Sequence, residues 1–194
     1  MDFSLSEETT LLKNSAERFL QEKCPPSLVR ELIKDDTGFS KEIWKEMAEL
    51  GWLGLIYDEK YGGSEGTFFD LLILFEEIGR VLLPSPFFCS SVLSGLVIYE
   101  AGDATLKDEY LPAIIQGKKI LTLALLDEQG RYDGHDPKME AKRLRVRHTL
   151  SVGPGFWSPT LILQMGSWSA QTSRILGLEG LLFSKLIIIA KDNR

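Results

Sequence analysis

The chain has 194 residues, 44% of them apolar and 26% charged, and carries a net charge of −6. That composition suits a folded chain long enough for one good-sized domain, or one domain and part of a second. It argues against a membrane-spanning protein, because runs such as Leu186 to Ala190 are far too short to cross a bilayer, and against a disulfide or zinc scaffold, because Cys24 and Cys89 stand alone and only His135 and His148 accompany them.

Residues 1–117 read as helices joined by short loops. The N-terminus, MDFSLSEETT, is acidic and polar, so it reads as the start of a cytoplasmic, reduced protein and not as a signal peptide. Ser6 can cap a helix whose apolar positions, Leu11, Leu12, Ala16, Phe19 and Leu20, recur at helical spacing. Pro25-Pro26 ends it and can open a short second helix through Leu32 and Ile33. Ser40 precedes a third, KEIWKEMAEL, with Ile43, Trp44, Met47 and Leu50 on one face and Gly51 as its stop. After the turn-rich loop DEKYGGSEG, Thr67 begins a strongly apolar helix through Phe68, Leu71, Leu72, Leu74, Phe75 and Ile78, ending near Gly79.

Pro84 and Pro86 interrupt the chain before another long apolar helix, Phe87 to Ala101. These two apolar helices are expected in the middle of a bundle. Asp103 caps a last helix that Pro112 ends or kinks. Glu76-Glu77 and Asp108-Glu109 read as solvated or capping charges. After Gly117, KKILTLALL reads as a strand that opens a β segment. The fold class is therefore mainly α, a helical bundle over 1–117, followed by a partial β segment over 118–194.

The charge is unevenly spread. Residues 1–140 hold 14 Lys+Arg against 26 Asp+Glu, whereas 141–194 hold 8 against 2. The basic residues cluster in AKRLRVRH and no aromatic residues interleave with them, so a nucleic-acid role is not expected.

The stretch YDEKYGGSEGTFFDLLILFEEIGRVLLPSPF resembles the N-terminal helical domain of the acyl-CoA dehydrogenases, with their YGG loop and a helix ending in LEELGR, here LFEEIGR. LSEETTLLKNSAERFL, IWKEMAELGWLGL and the segment ending KDEYLP are similar to further elements of that domain, in the same order, and the likeness covers residues 1–133. It implies an orthogonal helical bundle leading into a middle β domain. It also implies FAD-dependent desaturation of an acyl-CoA thioester in fatty acid metabolism: a glutamate base removes the α proton, the β hydride passes to the flavin, and an electron-transfer protein serves as acceptor. The acyl slot of such an enzyme would be lined here by Phe88, Ser91, Val92 and Gly95, positions that ordinary interhelix packing would also explain. Where the family has ALTEPDAGSD against the flavin, this chain has ALLDEQGRYD, so the contacts would fall to Leu125, Leu126 and Asp127, with Leu126 in place of a threonine.

The family's C-terminal four-helix domain and its glutamate base have no counterpart in these residues. The resemblance thus implies no catalytic residue and no metal site here, and a chain inactive by itself. The full-length protein would be a homo- or hetero-oligomer. Two alternatives stay open: a non-catalytic subunit of a heteromeric acyl-CoA dehydrogenase, and a helical interaction module without flavin.

Beyond residue 133 the likeness fades, and GFWSPTLILQMGSWSAQTSR, residues 155–174, has no secondary-structure period and no acid. Read one frame over, codon degeneracy permits YVLSGTRFLV from His148 and then PDANIADGFLVCADKP from Ser158 to Arg174, as the family's middle domain would continue. Residues from about 141–147 onward are thus expected to be an out-of-frame image of that domain, and the exposed apolar surface of such a tail, with Trp157 and Trp168, favours aggregation. Tryptic mass spectrometry of the protein from its native source is expected to yield peptides containing PDANIADGF. Recovery of HTLSVGPGFWSPTLILQMGSWSAQTSR instead would sink the frame reading.

Overall fold

The structure is a computed structural model. It describes the backbone of residues 5–124, 140–144, 148–152, 173–178 and 186–192, and the side chains of 5–123. The described chain is mainly helical, as expected. It divides into two compact units, Met1–Ser85 and Pro86–Arg194.

In the first unit the helices are α1 (Glu7–Lys23), α2 (Pro26–Leu32), α3 (Lys41–Glu49) and α4 (Phe68–Arg80). Each starts for a reason visible in the residues. The Ser6 and Ser40 hydroxyls accept from the backbone N–H groups of Thr9 and Ile43, at 3.0 and 3.3 Å. Pro26 supplies the pre-set φ at the start of α2. Thr67 and Asp70 form a reciprocal capping box on α4. Gly51 follows α3 in the left-handed region at φ 79°, where a side chain would be strained.

The core of this unit is built from Ala16 and Leu20 of α1, Ile43, Trp44 and Met47 of α3, and Leu71, Leu74 and Ile78 of α4. Phe19 meets Trp52 edge-on, with ring centroids 5.2 Å apart. Helices α1 and α4 pack together, and Thr9 Oγ1 donates to Asp70 Oδ1 at 2.7 Å between them. Lys23 on α1 pairs with Glu46 on α3 at 2.9 Å. Cys24 is buried, and burial pushes its thiol up, which makes it an inert core group; both it and Cys89 are free thiols.

The YGG loop is a closed knot of main chain. Glu65 N–H donates to Tyr57 O at 3.0 Å, Ser64 N–H to Gly54 O at 3.1 Å, and Gly66 N–H to Leu55 O at 2.7 Å. A Cβ on Gly63 would lie 2.0 Å from the Tyr57 carbonyl oxygen, so only glycine fits there.

The second unit begins with a π-helical turn, Phe88–Ser94, which runs directly into α5 (Gly95–Ala101) and then α6 (Ala104–Ile115). Asp103 caps α6, its Oδ1 accepting from Leu106 N–H at 2.8 Å. The strands are β1 (Lys119–Ala124), β2 (Glu140–Leu144), β3 (His148–Val152), β4 (Ser173–Leu178) and β5 (Leu186–Asp192). One antiparallel sheet runs β1-β5-β4 with Leu121 opposite Ala190, and β2 pairs with β3. Ile120, Leu121 and Thr122 are all buried, so both faces of β1 are covered.

Four expectations need correction. Helix α4 is not buried all round: Phe68, Phe69 and Leu72 are at least half exposed, because one face alone packs. The apolar helix from Phe87 opens as a π turn. Pro112 does not end α6, which continues to Ile115. Glu77 is buried, 3% exposed, and pairs with Arg80 Nε at 3.3 Å. Among the outward residues, Leu11, Ile33 and Leu50 lie at positions read as apolar stripes but are exposed. The stretch 155–172 with its tryptophans lies outside the described residues.

The hydroxyl of Thr67 above all holds the Asp70 carboxyl below its usual value; burial opposes it, and the Thr9 hydroxyl and the Thr67 backbone N–H add to the lowering. A depressed folded-state pKa stabilises above the unfolded value near 4 and is lost as pH falls through the folded one. Thr9→Val is expected to raise the Asp70 pKa and to cost about 1 kcal/mol at neutral pH, a loss that shrinks in acid. Denaturation midpoints measured from neutral pH down to about pH 3 check this, and a cost equal at both ends would refute it.

Candidate functional site

The acyl-slot positions expected from the sequence fall on the π turn and the start of α5. Ser91 (2% exposed), Val92 and Gly95 are buried, whereas Phe88 is half exposed. The structure therefore brings three of the four into the interior and leaves one side chain at the surface. Leu125, Leu126 and Asp127, the expected flavin contacts, lie outside the described residues. They follow β1 immediately, which ends at Ala124.

What the sequence reading passed over is Ser90, fully buried and bonded through all its polar groups. Its N–H donates to Pro86 O at 2.8 Å. Its carbonyl accepts the Gly95 N–H, an i to i+5 bond that defines the π register. Its hydroxyl accepts the Leu121 N–H of β1 at 3.0 Å. Ser94, also fully buried, donates its hydroxyl to Cys89 O at 2.7 Å, again five residues back instead of the four usual in an α-helix. The signal present in CSSVLS was three serines in an otherwise apolar helix, whose hydroxyls need partners once buried.

The Ser90 and Ser94 hydroxyls are held by main-chain groups, Leu121 N–H and Cys89 O. The described residues contain no His, Cys, Asp and Glu cluster able to hold a metal ion. As for a flavin, the positions expected to meet it lie outside the described residues, and Leu126 brings no side-chain hydroxyl there.

Residues 6–118 match the model of the acyl-CoA dehydrogenase N-terminal domain. Isovaleryl-CoA dehydrogenase from Bos taurus is 30% identical over 155 residues, 79% of this chain and 36% of that protein. A subunit of the caffeyl-CoA reductase-Etf complex of Acetobacterium woodii is 29% identical over 124 residues, 63% of this chain and 32% of that protein. The chain thus spans about a third of the length of these relatives. Among solved structures, a Tcur3481-Tcur3483 steroid ACAD variant superposes with a TM-score of 0.63 at 30% identity, covering 71% of this chain and 37% of that one. An acyl-CoA dehydrogenase from Bacillus anthracis complexed with FAD shares the fold, with a TM-score of 0.63 at 22% identity over 77% of this chain and 26% of that one. Proteins similar to this chain thus include one of the same fold solved with FAD and a subunit of a reductase-Etf complex. No helix among the described residues is long and apolar enough to cross a membrane.

Ser94→Ala removes one buried hydroxyl bond inside the π turn and is expected to lower stability by about 1 kcal/mol. The denaturant midpoint should fall while the slope stays the same; an unmoved midpoint would mean the bond contributes nothing.

Proposed function

Because this chain belongs to the acyl-CoA dehydrogenase family, we propose that it supplies the acyl-binding wall and the first flavin-facing strand of an FAD-dependent enzyme. That enzyme desaturates an acyl-CoA thioester between its α and β carbons. The observation that carries the reading is the match of residues 6–118 to the family's N-terminal domain. Domain boundaries at 1–117 and 118–194 follow from the same reading, as do a cytoplasmic location and a place in fatty acid metabolism.

In this proposal Phe88, Ser91, Val92 and Gly95 line the acyl slot. Three of them sit in the interior, where an alkyl chain leaves water at a gain of about 0.8 kcal/mol per methylene. The main chain at Leu125, Leu126 and Asp127 meets the flavin and orients it. Flavin, when bound, supplies the two-electron oxidation. The residues of this chain bind, orient and exclude water; none of them serves as the base, so the 194 residues are inactive by themselves. The substrate is an acyl-CoA and the acceptor an electron-transfer protein.

A second reading has specific support: Leu126 stands where the family places a hydroxyl, and a related protein is a subunit of a larger complex. On that reading the chain is a non-catalytic subunit whose partner completes the site.

Both readings predict flavin in the protein isolated from its native source, with its partners, and bleaching of that flavin by acyl-CoA without oxygen. A single type of subunit supports the first reading, and an obligate pair of dehydrogenase subunits the second. A native preparation with no flavin and no response to acyl-CoA rejects both and leaves a helical interaction module.

A further inference from the structure

Resting on the acyl-CoA reading, we propose that Ser90 is a positioning residue that fixes the π register of residues 88–94 against β1, and so decides which side chains the acyl wall presents. Three bonds converge on it. The Pro86 carbonyl anchors its N–H at 2.8 Å, the Gly95 N–H reaches its carbonyl, and the Leu121 N–H of β1 reaches its hydroxyl at 3.0 Å. All three lie inside one compact unit, and Ser90 is 0% exposed.

The geometry explains why register matters. A π turn accommodates one residue more than the α-helical hydrogen-bond ladder does. One residue of an α-helix is about 100° of rotation. If the turn relaxed to α register, residues on one side of it would swing by about that angle relative to those on the other. Phe88 and Gly95 flank the turn, so the half-exposed ring and the buried glycine would no longer share their present relation. Such turns are costly in hydrogen-bond geometry and persist where something holds them.

Two side-chain bonds act on this one: Ser94 to Cys89 within the turn, and Ser90 to β1 outside it. Of these two, the second ties the turn to another element. Removing the Ser90 hydroxyl also leaves the Leu121 N–H without its acceptor in the interior, so relaxation is favoured from both sides.

The test uses the full-length protein with its flavin and any partner subunit. Ser90→Ala is compared with Ser94→Ala, which removes a hydroxyl from the same turn but leaves β1 untouched. The readouts are amide hydrogen exchange at Leu121 and its neighbours, flavin content, and kcat and KM across acyl-CoA substrates of graded chain length. Ser90→Ala is expected to speed exchange at Leu121 and to raise KM for the preferred acyl chain about fivefold, the equivalent of one hydrogen bond. The order of preference among chain lengths changes, while kcat and flavin content hold within about twofold.

Ser94→Ala leaves exchange at Leu121 as it is. Faster exchange at Leu121 with an unchanged chain-length profile overturns the proposal, because Ser90 then only stabilises. Equal kinetic effects of the two variants overturn it as well. Should Ser90→Ala fail to fold, Ser90→Thr keeps the hydroxyl and reports through the same readouts: it should retain Leu121 protection, and loss of that protection counts against the proposal. A wild-type protein that neither holds flavin nor turns over any acyl-CoA brings down the acyl-CoA reading itself, a result visible before any variant is made.

Discussion

One carboxylate, Asp70, organises the first unit. It closes the capping box of α4 through the Thr67 backbone and hydroxyl, at 3.0 and 2.7 Å, and accepts from Thr9 of α1 with its other oxygen. A helix start normally has only local partners. Here the residue that satisfies the N-terminus of α4 also sets where α1 lies along it. Thr9 in turn sits within the first turn of α1, where Ser6 receives its N–H. The two N-termini are therefore fixed to each other, and the apolar stripes of Ala16, Leu20, Leu71 and Leu74 are brought into line by polar groups at one end. Burial supplies most of the free energy of this packing, but burial has no direction; the hydrogen bonds supply the alignment.

The second unit relies on a different device. Its interior takes in serines, a choice that an apolar helix can tolerate only if each hydroxyl finds a partner. Ser94 finds one within the turn, at Cys89 O, and Ser90 finds one on β1. The cost of burying those hydroxyls is thus converted into specificity of register, much as a single buried polar group fixes register in a coiled coil. In both units a few polar contacts of known partner select one arrangement among the many that hydrophobic collapse alone would allow.

Local chemistry made much of this legible. Ser6, Ser40 and Asp103 are caps because their side chains can take the first free N–H groups, and Gly51 ends α3 because φ 79° is open to glycine. β1 follows from its run of Ile, Leu and Thr after Gly117. The π register was not legible: the apolar period of Phe87 to Ala101 fits an α-helix, and the extra residue is selected by partners 31 positions away, Ser90 to Leu121. Nor was the exposed face of α4, since composition says that a helix is apolar but not how many neighbours it has. Pro112 reads as a break because it lacks an N–H, yet α6 passes through it and buries Leu111 and Ile114 on either side. The acyl-wall positions were named by resemblance, and three of the four proved buried. The flavin-facing residues Leu125, Leu126 and Asp127 lie beyond the described part of β1.

On the proposed reading, an acyl wall next to β1 bears on how such a protein divides its labour. Desaturation of a thioester needs an oxidant, a base and a dry slot held in one geometry. In the proposed reading the third is a matter of packing, and packing is what the described helices and β1 contribute. The same logic explains why the sharpest constraints found here are backbone ones. Gly63 has no room for a Cβ beside Tyr57, and the Ser90 hydroxyl ties a helix to a strand by accepting the Leu121 main-chain N–H. Side chains at such places can drift while the function of the fold persists, provided the backbone path does not. At Gly63 that path leaves no room for any other residue.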